Sequence, residues 1–164
     1  MPLFWLLAAY QAGIVIEGNV QYIKQPDFSK KINECLDLLC KKAPAAYAIL
    51  KNHVGKVRAF KHSGANIYLK PITIDIAKPT FEASVTWLAS VLAHESIHAK
   101  QYVGKKDYTG KAAEMEANAH QIEVLRLIGA PQSEIAYMLA QTGDHFDVNK
   151  DGIYDKKDYE KRNW

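Results

Sequence analysis

The sequence predicts an α+β domain in which a small sheet packs on a helix bearing two histidines and on a second helix that follows it. Three observations carry that prediction. Residues 84–101 read as a helix, with Val85, Leu88, Ala89, Val91, Leu92 and Ala93 making its first turns strongly apolar. Residues 54–76 change character to short runs rich in β-branched and aromatic residues, broken by turn residues. Residues 111–128 then form a second strong helical run, ended by Gly129-Ala130-Pro131.

A chain of 164 residues is large enough to bury one hydrophobic core without disulfides, so a single main domain is expected over residues 1–143, with a separate loop and tail over 144–164. The net charge of +3 comes from scattered lysines and from pairs such as Lys30-Lys31, Lys41-Lys42 and Lys105-Lys106. No basic stripe is interleaved with aromatics, which argues against nucleic acid as a partner. A monomer is the expected state. Cys35 and Cys40 lie five residues apart in one helical segment, on different faces, so a mutual disulfide is geometrically poor and both are expected to be reduced core residues.

The elements follow in order. Residues 1–16 carry no charged side chain, and residues 3–9 resemble the apolar region of a signal peptide. No basic residue precedes them and no small-x-small cleavage site follows, so a structural helix or strand and an atypical export signal both stand, and localisation stays open. The stretch is short for a membrane span. Residues 13–19 read as a β segment closed by Gly18-Asn19, and Pro26-Asp27-Phe28-Ser29 starts a helix whose Ile32, Leu36, Leu39 and Cys40 recur at helical spacing up to Pro44. A shorter helix is expected over 45–53. In the sheet region Val57, Ala59 and Phe60 alternate with basic residues, residues 63–66 read as a turn, and 67–69 and 72–76 read as strands. His53 and His62 are expected to be exposed or locally hydrogen-bonded. Thr80 and Ser84 are the candidate caps of the next helix, and Gly104 is its stop.

That helix contains His94-Glu95-Ser96-Ile97-His98. Residues four apart share a helix face, so both imidazoles can reach one metal, while Glu95 falls beside it, placed to take a proton from a metal-bound water. Zinc suits imidazole, and a catalytic zinc site uses three protein ligands. The third ligand is expected on the helix over 111–128, where Glu116 stands eighteen residues past His98.

The pattern resembles the zincin metallopeptidases and, within them, the gluzincins, over residues 87–128. The resemblance implies a zincin-like fold, Zn2+ as cofactor, hydrolysis of peptide bonds in a peptide or protein substrate, His94, His98 and Glu116 as zinc ligands, and Glu95 as general base. A histidine six residues past His98, which the related metzincins would use, is absent: Gly104 stands there. Thermolysin-like members place an aspartate four residues after the ligand glutamate, and His120 occupies that position here. His120 therefore has three open roles: a hydrogen bond to a ligand, a donor to the transition-state oxyanion, or the third ligand itself. Glu114 is the other alternative for that ligand, and Tyr102 and Tyr108 are further oxyanion candidates. A catalytically silent metal-binding module that presents a peptide groove is the competing function, and retention of Glu95 favours the enzyme.

The tail carries a second ion signal. Asp147, Asn149, Asp151, Asp155 and Asp158 stand at positions 1, 3, 5, 9 and 12 of a twelve-residue loop, Gly152 at position 6 and Ile153 at position 7, which resembles EF-hand calcium loops. The implied ligands are those five side chains and the Ile153 carbonyl, for Ca2+. Asp158 is shorter than the usual glutamate, and Gly143 interrupts the entering helix, which brings the loop closer to the lone calcium loops of bacterial extracellular modules and slightly favours export. A structural clip is expected rather than a switch.

Overall fold

The structure is a computed structural model that describes residues 10–11, 13–144, 147–151 and 157–158. The apolar segment before Tyr10 and the loop positions Ile153 and Asp155 lie outside the described residues.

In chain order the elements are β1 (Tyr10–Gln11), β2 (Ile14–Glu17), α1 (Gln25–Lys42), α2 (Pro44–His53), β3 (Lys56–Ala59), β4 (Gly64–Asn66), β5 (Thr73–Ile76), α3 (Lys78–Glu82), α4 (Val85–Val103), α5 (Lys111–Leu127) and α6 (Gln132–Leu139). The α+β class expected from the sequence is therefore what the chain adopts. The sheet order is β1-β2-β3-β5-β4. β2, β3 and β5 run parallel, β2 joined to β3 through α1 and α2 and β3 to β5 through β4, whereas the outer strands β1 and β4 are antiparallel to their neighbours. Such a parallel centre must be covered, and all four residues of β5 are buried.

One core joins the sheet to the helices. Ile14, Ile16, Val57, Ala59, Ile74 and Ile76 meet Phe28, Ile32, Leu36 and Leu39 of α1, Leu50 of α2, and Leu88 and Leu92 of α4. α4 packs against α1, α2, β4, β5 and α5, so it runs through the middle of the molecule. Ser84 caps it, its hydroxyl accepting from Trp87 N–H at 3.0 Å, and the chain leaves it at Gly104. α5 ends where Gly129 takes a φ of +74°, a conformation that favours glycine. α6 folds back on α5, with Leu125, Ile135 and Met138 forming a small satellite cluster against Trp87. No helix among the described residues is long and apolar enough to cross a membrane.

Two local expectations change. The segment read as a turn, Gly64–Asn66, is strand β4, and the expected strand over 67–69 is a turn in which Tyr68 is 79% exposed. Pairing decided this: Ala65 sits opposite Ile74 and Asn66 opposite Thr73, and that register outweighs the weak β preference of glycine and asparagine. Cys35 is buried, its thiol pushed up to about 12 by burial, but Cys40 is exposed. His53 is locally bonded as expected, Nδ1 to the Ile49 carbonyl at 2.8 Å, whereas His62 is buried beside Phe60.

A buried ion pair pins the sheet beside β4. Asp75 is fully buried on β5, opposite Arg58 of β3 on one side and Gly64 of β4 on the other. Arg58 donates to it twice, Nε to Oδ1 at 2.8 Å and Nη2 to Oδ2 at 3.1 Å, and lies over the Phe60 ring. Burial raises the Asp75 pKa, and the Arg58 hydrogen bond and charge oppose that rise. Arg58→Met should leave a buried carboxylate without its guanidinium and cost about 3 kcal/mol at neutral pH. Because the folded-state pKa lies above the unfolded one, the deficit should be absent below the ordinary carboxylate pKa of about 4 and grow as pH rises through the folded value. Urea unfolding of parent and variant across pH 3–8 checks this, and a deficit independent of pH would contradict it.

Candidate metal centre

The α4 helix buries most of its surface, including the polar part of it. His94 and His98 are each 7% exposed, one turn apart, with ring centroids 5.0 Å from each other. Facing them is Glu114, 6% exposed, from the first turn of α5. The contacts converge: His94 Nε2 lies 3.2 Å from His98 Nε2, Glu114 Oε2 lies 3.4 Å from His94 Nε2, and Glu114 Oε1 lies 3.4 Å from His98 Nε2. Among the described residues these three alone bring three His, Cys, Asp or Glu ligand atoms together, all within 4.8 Å of one another.

Whether this set fits a metal can be tested on its own spacing. A zinc ion with bonds of roughly 2.0–2.1 Å and tetrahedral angles holds its donor atoms roughly 3.3–3.4 Å apart. The two Nε2 atoms, 3.2 Å apart, match that spacing, and each lies 3.4 Å from a different oxygen of Glu114. Two imidazoles and a carboxylate are also the donor types of known catalytic zinc sites.

Gln101 sets the tautomer of one histidine. Its Nε2 donates to the Ala113 carbonyl at 3.2 Å and to Glu116 Oε2 at 3.0 Å, which leaves its Oε1 to face His98 Nδ1 at 3.0 Å. Nδ1 must then carry a proton, so it is Nε2 that faces the cluster, and in the neutral ring Nε2 is the nitrogen with the lone pair. Burial alone would lower the His98 pKa, but the hydrogen bond to Glu114, the charges of Glu95 and Glu114 and the bond to Gln101 outweigh it and push it up to about 9. The cluster is thus a buried place of negative potential that favours a cation.

Glu95 sits outside the cluster on the open side. Ala65 N–H, on the edge strand β4, donates to its Oε2 at 2.8 Å. Glu95 and His94 together line a cavity of about 340 Å³, whose wall is otherwise mainly apolar, with Trp87, Val91, Pro79 and Met138, and whose polar groups include Asn118 and Gln121.

Of the glutamates offered as third ligand, Glu114, the alternative, lies against the histidines, and Glu116 does not join that cluster. The buried stripe of α5 runs through Ala113, Glu114, Ala117, Asn118, Gln121, Val124 and Leu125. Ala112 and Ala119 are exposed, and Glu116 is exposed with them, accepting from Gln101 instead. Glu114 stands two residues before Glu116, and the residue four past it, Asn118, shares its buried line.

His120 lies on α5 outside both the three-residue cluster and the cavity lining. Burial is the main cause that lowers its pKa, and its Nε2 is buried without a hydrogen-bond partner. Tyr102 and Tyr108 stack edge to face at 5.4 Å, and the Tyr108 hydroxyl is 3.3 Å from that of Tyr68; neither tyrosine lines the cavity.

In the tail, Asp151 N–H donates to Asp147 Oδ1 at 3.1 Å and to Asn149 Oδ1 at 3.0 Å, and Asn149 N–H donates to Asp158 Oδ1 at 3.2 Å. Four of the implied calcium ligands therefore belong to one hydrogen-bonded loop, but they do not form a metal cluster like that of α4 and α5.

Compared with known protein families, characterised proteins and solved structures, the chain matches none, so a functional reading has to come from this geometry.

Proposed function

We propose that the protein is a zinc-dependent metallopeptidase, with His94, His98 and Glu114 holding the metal and Glu95 acting as general base. The observation that supports this most directly is the convergence of His94 Nε2, His98 Nε2 and the Glu114 carboxylate at 3.2 to 3.4 Å beside an open cavity. When bound, zinc supplies a Lewis acid that polarises a carbonyl and brings the pKa of water towards neutrality.

The chain's own groups account for the rest. Glu95 Oε2 is held by Ala65 N–H, which fixes the carboxylate at the cavity and leaves Oε1 to accept a proton from the attacking water. The same oxygen then returns that proton to the amine that leaves. Apolar walls limit the water around it, which strengthens the electrostatics of the site. Gln101 keeps His98 in the tautomer that a metal needs and ties it through Glu116 and the Ala113 carbonyl to α5. A silent metal-binding module has no use for a carboxylate fixed at the open side, and Glu95 therefore favours the enzyme.

We further propose that calcium occupies the 147–158 loop as a clip. The Asp147, Asn149 and Asp158 side chains already accept from two loop amides, and Asp151 Oδ2 accepts from Asn149 Nδ2, which gathers four oxygen-bearing side chains on one loop.

Three outcomes check these readings. Metal analysis after dialysis should find near one zinc per parent chain and per Glu116→Ala chain, but little in Glu114→Ala, His94→Ala or His98→Ala. Zinc retained by Glu114→Ala and lost by Glu116→Ala would reverse the ligand assignment. Glu95→Gln should keep its zinc and lose at least about a hundredfold of its hydrolysis of unstructured protein, the upper part of the range for a positioned base being larger still. An active Glu95→Gln protein would remove the mechanism. In thermal melts at constant zinc, calcium at a hundred times its dissociation constant should add about 2.7 kcal/mol to the parent. The Asp147→Ala, Asp151→Ala double variant should show no such gain; a parent melt that ignores calcium would leave the loop a plain acidic turn.

A further inference from the structure

Among the described residues, no side chain of α6 belongs to the main core. Its two buried side chains, Ile135 and Met138, pack with Leu125 in the satellite cluster against Trp87. Yet α6 supplies Tyr137 and Met138 to the lining of the cavity beside His94 and Glu95, and Gln141 follows just after it. This wall is one helix thick: Tyr137 and Leu139 are each 59% exposed, and Ala136 and Ala140 are exposed with them.

A helix of eight residues has little stability of its own and stays where tertiary contacts hold it. Both ends of the segment rest on α5. Before α6, Gly129 turns the chain with a φ of +74°, and Ala130 N–H donates to the Leu125 carbonyl at 2.9 Å. Beyond α6, Gly143 lies on the first turns of α5, where an added Cβ would stand 3.0 Å from Met115 Cγ and 3.3 Å from the Lys111 carbonyl. Asp144 then pairs with Lys111 at 3.4 Å. The helix itself is tied to α4 instead. Glu134 accepts from the Ser84 hydroxyl and, at 2.8 Å, from the Thr86 hydroxyl, and Tyr137 meets Trp87 edge to face at 5.4 Å. Ser84 is exposed and Thr86 and Glu134 are half-buried, so water can take over each hydrogen bond when it breaks.

From this arrangement we propose that α6 is a lid on the cavity, that it opens while the rest of the fold stays intact, and that Glu134 is the latch that keeps it shut. Segments with few buried apolar contacts open at lower free energy than the core, and lids are drawn from them. Opening takes Tyr137, Met138 and Gln141 away from the cavity and leaves a groove along α4 and α5. His94, His98 and Glu114 stay in place, because they stand on those two helices. What enters rests on the peptidase reading: an extended peptide, at roughly 3.3–3.6 Å per residue, fits a groove better than a cavity of about 340 Å³.

The test is hydrogen exchange of the zinc-loaded full chain, with hydrolysis of unstructured protein measured beside it. Amides of residues 135–140 should exchange at least about tenfold faster than those of residues 118–125. Glu134→Ala should speed the same α6 amides by a further factor on the order of ten, the loss expected when hydrogen bonds to a charged group go, with exchange in α4 and α5 unchanged. Thr86→Val removes one of the two hydroxyls, spares the Ser84 cap and should give a smaller increase in the same amides. Glu134→Ala should also raise kcat/KM severalfold, because entry no longer waits for the latch. Exchange of α6 in step with α5, or α6 amides indifferent to Glu134→Ala, overturns the lid and leaves the peptidase standing. Faster α6 exchange with an unchanged kcat/KM overturns its gating role. Absence of hydrolysis in the parent, with the exchange pattern as expected, removes the peptidase reading and keeps the lid.

Discussion

Two imidazoles and a carboxylate are buried together between α4 and α5, and the cost of taking them out of water organises much of this molecule. Polar groups in an apolar environment need partners, and charged ones need an opposite charge. The chain meets that demand locally. His98 is held by Gln101, Gln101 by the Ala113 carbonyl and Glu116, and the Glu114 carboxylate lies against both Nε2 atoms. The serines of α4 follow the same rule, with Ser90 bonding the Trp87 carbonyl, Ser96 the Ala93 carbonyl, and Gln121 of α5 reaching Ser90. The interface between the two helices is therefore a polar seam inside an otherwise apolar body.

The sheet serves that seam from the other side. Parallel β2, β3 and β5 bury Ile16, Val57 and Ile74 against the helices, which fixes α4 relative to the sheet. The antiparallel strand β4 then lies at the edge, where its outer amide at Ala65 is free of the ladder and meets Glu95. The Arg58 and Asp75 pair holds β3 to β5, and Gly64 faces Asp75 from β4. Ser63 ties the start of β4 to α3 through Thr80 and to Ala77 N–H. The Glu95 carboxylate is thus oriented by backbone, which moves less than a side chain would.

How much of this could be read beforehand depends on whether it was local. The α4 helix, its Ser84 cap, its Gly104 stop and the shared face of His94 and His98 follow from spacing within one element. The α+β class followed from changes of period along the chain. Which glutamate meets the histidines did not, because Glu114 and Glu116 lie on opposite sides of α5 and only the rotation of that helix against α4 distinguishes them. That rotation is set by Ala113, Ala117, Val124 and Leu125 entering the interface, a pattern that alanines at 112 and 119 obscured. β4 was illegible for a similar reason: Gly64, Ala65 and Asn66 have little preference for a strand, and β5 imposes it on them.

The stripe on α5 also joins the histidine cluster to the cavity. Glu114, Asn118 and Gln121 follow one another down the same buried line, at the four- and three-residue steps of a helix face. Glu114 ends at the histidines, while Asn118 and Gln121 are among the residues that line the cavity beside them. A helix is stiff, so the distance from Glu114 to Asn118 and Gln121 is fixed by backbone geometry and not by loop conformation. Any substitution that rotates α5, such as a larger residue at the fully buried Ala117, would displace all three at once. A change confined to Asn118 would alter the cavity alone. The small residues of this seam thus matter for function as well as packing, because they keep one helix face in register with the other.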